Sequence, residues 1–226
     1  LLPRIACFSK RILRYGVMGG AESIVYVLAQ TAVVALVGLL GERPTLIRAY
    51  VCSITPYLML CSTAVSTAAF YLVGKRYGEG DPAGAKAACR LAIRDSILAT
   101  VFFCIVFLAL ARPILRLYTA DESLLRDSIR LLYVCAITEV LHCPIVMYVV
   151  SLKAVGRVAP PFIAIFPGMA LNIVGSYVFG MVLGWGLIGI WMGFILDYIV
   201  RGAAMGAVWR RWRPETAPSA QRSDAL

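Results

Sequence analysis

The stretch Thr138-Glu139-Val140-Leu141-His142 lies in the middle of an apolar run from about Ile129 to Leu152. That run is long enough to cross a bilayer, because roughly 20 apolar residues span the hydrocarbon. A charged side chain within it costs about 2.5–3.5 kcal/mol on insertion scales, so survivors face a bundle interior or a wet cavity. Glu139 and His142 are three residues apart, which puts them on one helix face within reach of the same ligand or proton. Both can exchange protons, and His142 is the chain's only histidine. The run reads as a membrane helix that handles a proton or cation. The plainer alternative is a static hydrogen-bonded pair that fixes helix packing.

The whole composition agrees with a membrane setting. Of 226 residues, 61% are hydrophobic and 15% charged, with a mean hydropathy of +0.82. Soluble domains run nearer 45–50% apolar and about 25% charged. The net charge of +10 then reflects the lysine and arginine excess of cytoplasmic loops, not nucleic-acid binding. Basic runs interleaved with exposed aromatics, as a single-strand binder needs, do not occur. Seven scattered cysteines with no C-x-x-C pair argue against a disulfide framework or a zinc site. The chain opens on Leu1 without a signal peptide, so it reads as a fragment or as a chain numbered from an internal point.

Outward from the central run the pattern predicts an all-α integral membrane protein with six transmembrane helices, at about 14–40, 46–73, 88–111, 129–152, 161–183 and 187–209. Residues 1–13 read as an interfacial cytoplasmic lead-in, 74–82 as a polar loop, 83–94 as a basic amphipathic approach and 116–130 as a charged connector. Residues 214–226 read as a disordered cytoplasmic tail. Pro56 and Pro167-Gly168 are expected to kink their helices, and Pro113 to stop the third. Fifteen lysines and arginines fall in the lead-in, the 74–94 stretch, the 153–157 turn and the tail. Six (Arg43, Arg48, Arg112, Arg116, Arg126 and Arg130) fall on the opposite side, which predicts a multi-pass protein of the cell membrane with both termini cytoplasmic.

Other intramembrane groups are few. Glu22 stands behind Gly16, Gly19 and Gly20, which would let another backbone come close, and reads as a cation or proton site supported by Tyr26; the plainer alternative is a carboxyl hydrogen-bonded to a neighbouring helix or sitting near the interface. Asp197 and Arg201, one helical turn apart, read as a structural ion pair. Gly189/Gly193 and Gly202/Gly206 have the spacing of close helix contacts. Asn172 reads as helix–helix glue, and Trp185, Trp191, Trp209 and Trp212 as interface anchors. Nucleophile triads, phosphate-binding loops and metal-spaced clusters are missing from the sequence, which gives no support to an enzyme.

Several of these stretches together resemble the C-terminal half of the multidrug and toxic compound extrusion (MATE) family. Tyr15-Gly16-Val17-Met18-Gly19-Gly20-Ala21-Glu22 resembles the opening of the family's seventh helix, with Met18 where proline is usual. Val73-Gly74-Lys75-Arg76-Tyr77-Gly78-Glu79-Gly80-Asp81-Pro82 is similar to the loop after the eighth, and Leu117-Tyr118-Thr119-Ala120-Asp121 to a later connector. Ser151-Leu152-Lys153-Ala154-Val155-Gly156 is similar to the exit of the tenth, and Gly189-Ile190-Trp191 with Asp197 to Arg201 to the last helix.

The resemblance implies one lobe of a twelve-helix antiporter that exports drugs or other organic cations by alternating access, driven by protons or sodium, with no cofactor beyond that ion. It implies as partners a small organic cation, the bilayer, and a missing N-terminal lobe or a second copy, but no nucleic acid. Glu22, Glu139 and His142 are the expected cation- or proton-coupling residues, with Tyr26, Asn172, Asp197 and Arg201 supporting. His142 and Tyr26 stand where well-studied branches carry acids. A lipid-linked saccharide flippase of the same superfamily is the alternative, and would need an arginine-lined cavity. A half-length membrane protein that transports nothing is the other.

Overall fold

In the computed structural model the described residues are 2–212, with side chains described from Gly16 onward. The tail expected at 214–226 lies outside the described residues. Seven α-helices follow in order: α1 (Leu2–Leu39), α2 (Glu42–Gly78), α3 (Pro82–Ala109), α4 (Ala111–Arg116), α5 (Glu122–Ala154), α6 (Ala159–Tyr177) and α7 (Gly186–Arg211). A π-helical turn, Val178–Val182, extends α6. Six of the helices are long and apolar enough to cross a membrane, and α4 is a short turn between two of them.

The helices run further than the hydrophobic pattern suggests. α1 is helical from Leu2, because the lead-in contains no breaker apart from Pro3, which a first turn accepts. The polar loop expected at 74–82 shrinks to 79–81. Gly80 takes a φ of +77°, and the Asp81 carboxylate caps α3 by accepting from the Gly84 N–H at 2.7 Å. The approach and the third span are one helix, which ends at Ala109 because Pro113 has no N–H for that carbonyl. Most of the expected connector is the start of α5, where the Asp121 carboxylate accepts from the Ser123 N–H at 2.7 Å. The Ser123 hydroxyl and the backbone N–H groups hold that carboxyl below the usual carboxylate range.

α5 is the most buried span and packs against α2, α3 and α7, while α1 lies mainly on α6. Spans alternate in direction, so α2, α5 and α7 run the same way. Their register is constant: Thr55 stands level with Cys135 and Gly74 with Ala154, while Cys135 faces Trp191 and His142 faces Tyr198. α6 and α7 approach closely, since a Cβ on Gly189 or Gly193 would run into the backbone at Phe179 and Ser176. By contrast Gly16, Gly19 and Gly20 face open space, so the close approach expected there is not made among the described residues.

Two apolar cores form at opposite ends. One gathers Val33, Ile47, Val51, Leu115, Leu131 and Ile190; the other gathers Val73, Cys89, Leu152, Met205, Trp209 and Trp212. In the second, Trp212 stacks on Trp209 at 5.0 Å, tilts against Tyr77 at 5.6 Å, and receives Lys86 over its ring at 5.7 Å. Trp191, Trp209 and Trp212 are buried in these cores, which corrects their reading as interface anchors; only Trp185 is exposed. Between the cores lies a polar band at the level of residues 138–142.

Candidate functional site

Glu139 is carried inward on α5 by the apolar residues on either side of it, and is buried at 7% exposure. It opens onto a cavity of about 230 Å³ bounded by α1, α2, α5 and α7. Tyr26 and Gln30 come from α1, Arg48, Cys52, Thr55, Pro56 and Met59 from α2, and Trp191, Phe194 and Tyr198 from α7. Trp191 and Phe194 are tilted at 5.9 Å between ring centroids, and Phe194 meets Tyr198 edge-on at 6.2 Å. Pro56 has no N–H to give the Cys52 carbonyl, and both residues line the cavity. A carboxyl beside four aromatic rings is suited to an organic cation, which the ring faces attract electrostatically.

His142 opens onto a second cavity of about 490 Å³, with Glu22, Tyr26, Met59, Lys153 and Arg201 in its wall. The imidazole stacks on Tyr198 at 4.9 Å, and its Nδ1 is buried without a partner among the described residues. Glu139 and His142 therefore line different cavities, with Tyr26 and Met59 shared by both walls. Three residues on a helix differ by about 60° in direction, enough to send these two side chains to opposite sides of that divider.

The other expected residues fall as follows. Glu22 is not a lone carboxylate: it accepts from Lys153 Nζ at 2.8 Å, a bond that ties α1 to α5 across the second cavity. Asp197 is fully buried and accepts from Arg201 Nη2 at 2.6 Å. Asp197 Oδ1 lies where a Cβ on Gly168 would need to be, so that glycine leaves room for the pair beside α6. Asn172 is buried in the α6–α7 seam and reaches neither cavity. Tyr26 belongs to both cavities.

Sequence reasoning missed Arg48, Lys153 and the aromatic wall. Arg48, near the start of the helix expected at 46–73, was counted with the external charges, but α2 starts at Glu42 and carries it inward to the cavity wall. Trp191, Phe194 and Tyr198 recur every three or four residues, a helical stripe that could have been noticed.

The family model described as MatE matches residues 20–178. The "Uncharacterized transporter YisQ" of Bacillus subtilis (strain 168) is 27% identical over 213 residues, covering 90% of this chain and 44% of that protein. The Vibrio cholerae MATE transporter VcmN, solved as a point mutant, superposes with a TM-score of 0.86 at 17% identity, over 98% of this chain and 50% of that one. A MOP superfamily transporter from Pyrococcus furiosus gives 0.81 at 19%, over 92% and 46%. The chain thus spans about half the length of these relatives.

Proposed function

This chain belongs to the MatE family, and from that premise we propose that it forms one lobe of an ion-coupled exporter of organic cations that works by alternating access. The observation that carries the reading is Glu139, a buried carboxyl facing a cavity walled by Tyr26, Trp191, Phe194 and Tyr198. A carboxyl there holds either an organic cation or the coupling proton or sodium ion, and that competition is what antiport requires. Glu139 is the coupling residue. His142 and the Glu22–Lys153 pair shape the neighbouring cavity, and Asp197–Arg201 fixes the α7 wall.

The flippase alternative needs unpaired basic groups for a phosphate-bearing head. Arg201 and Lys153 are each neutralised by an acid, which leaves Arg48 alone and favours the exporter.

The test is proton- or sodium-driven export of a fluorescent organic cation from vesicles containing the intact protein. Glu139→Gln should abolish export while membrane insertion stays normal, and His142→Phe, which keeps a ring on Tyr198, should retain it. Full export by Glu139→Gln would move coupling elsewhere.

A further inference from the structure

The Glu139 cavity holds a second charge that the cation reading does not use. Arg48 lines it from α2, half-buried, with its Nε shut away from solvent and without an acceptor. Among the described residues no carboxylate pairs with Arg48, and no cation pairs with Glu139. The register of α2 against α5 explains why they do not pair with each other. With Thr55 level with Cys135, Arg48 is level with Ser128, while Glu139 is level with Met59. Eleven residues of helix rise separate the two Cα atoms, about 16 Å along the helix axes.

Between these two ends stand Trp191 and Phe194 of α7, with Trp191 level with Cys135, while Tyr198, level with His142, lies just beyond Glu139. The cavity therefore has an anionic end, an aromatic middle and a cationic end. Each charge lacks the partner that would offset the cost of removing it from water. A purely cationic ligand satisfies one end and leaves the guanidinium facing it.

Resting on the reading of this cavity as the substrate site, we infer that its preferred ligand is an elongated amphoteric molecule. Its ammonium sits at Glu139 beside Tyr198, its ring system lies along Trp191 and Phe194, and its carboxylate or other anionic group meets Arg48. A guanidinium suits that last contact because its planar donors match a carboxylate two bonds at a time.

The test uses the intact protein in lipid nanodiscs and isothermal titration calorimetry with two probes: 4′-(aminomethyl)biphenyl-4-carboxylic acid and its methyl ester, which keeps the ammonium but has no anionic group. The acid should bind about tenfold or more tightly than the ester, the size of one charge-assisted contact. Arg48→Gln should weaken the acid by that factor while the ester, relieved of a repelling cation, binds more tightly. Opposite signs for the two probes cannot come from a general loss of folding. The inference is overturned if the ester binds as tightly as the acid, or if Arg48→Gln weakens both alike. In either case, ester binding that is lost in Glu139→Gln would still support the cation site. Failure of both probes to bind the intact protein would overturn both readings.

Discussion

Alanine at Gly193 should weaken this lobe, while alanine at Gly19 should not. A Cβ at Gly193 would lie 2.5 Å from the Ser176 backbone nitrogen and 2.8 Å from the Asn172 carbonyl oxygen. Ordinary contact begins near 3.4 Å, so α6 and α7 must separate by roughly 0.9 Å. Overpacking of this kind costs about 1–3 kcal/mol. The Ser176 hydroxyl bond to the Ile190 carbonyl, 3.0 Å long on the same seam, adds about 1 kcal/mol if it stretches. Against this, alanine gains about 1 kcal/mol over glycine in helix propensity. The net expectation is a loss of about 2 kcal/mol for Gly193→Ala. Gly19→Ala meets nothing and keeps the propensity gain, and Gly202→Ala, 3.3 Å from the movable Ile145 Cγ1, should be close to neutral. Denaturant unfolding of the three variants in one detergent gives the ranking. If Gly193→Ala proved as stable as Gly19→Ala, the close α6–α7 contact would not be the seam described above.

Three further outcomes can be checked. Asp197→Leu should cost about 3–5 kcal/mol by leaving the Arg201 charge buried and uncompensated, and adding Arg201→Met should restore most of it; an unimproved double variant would contradict the pairing. A double-mutant cycle on Glu22 and Lys153, both partly buried, should return a coupling of about 0.5–1 kcal/mol, and zero coupling would mean that the pair does not hold α1 to α5. Because the Asp121 carboxyl is held below its ordinary range, its capping contribution is fully present above the unfolded carboxylate pKa of about 3.9 and is lost as pH falls through the lower folded value. The stability gap between the intact protein and Asp121→Ala should therefore close only below about pH 4. A gap unchanged down to about pH 2 would exclude the carboxylate as its source.

The six spans and the central place of α5 were legible because apolar length and a lone carboxyl in an apolar run are local signals. The Asp197–Arg201 pair was legible for the same reason, being one turn of one helix. Contacts between distant segments were not. Lys153 lies 131 residues from Glu22, and nothing in either neighbourhood announces the other. Arg48 fell inside the expected helix at 46–73 but within its first turn, where an arginine counts as a surface charge; α2 begins four residues earlier, at Glu42, and carries it inward to the cavity. Trp191 was misplaced because tryptophan is a common anchor at a membrane surface, whereas here the tight register of α5 on α7 draws it inside.

The buried Trp212 also sets a practical limit on shortening the protein. It is the last described residue, yet it fills the space among Tyr77, Lys86 and Trp209 and so joins the end of α7 to the α2–α3 turn. A stop codon or protease site placed after Trp212 would leave that plug in position. One placed a single residue earlier would remove a stacked indole and open that end of the bundle to water. Trimming for crystallisation, or fusing a reporter at this end, should therefore keep Trp212 in place.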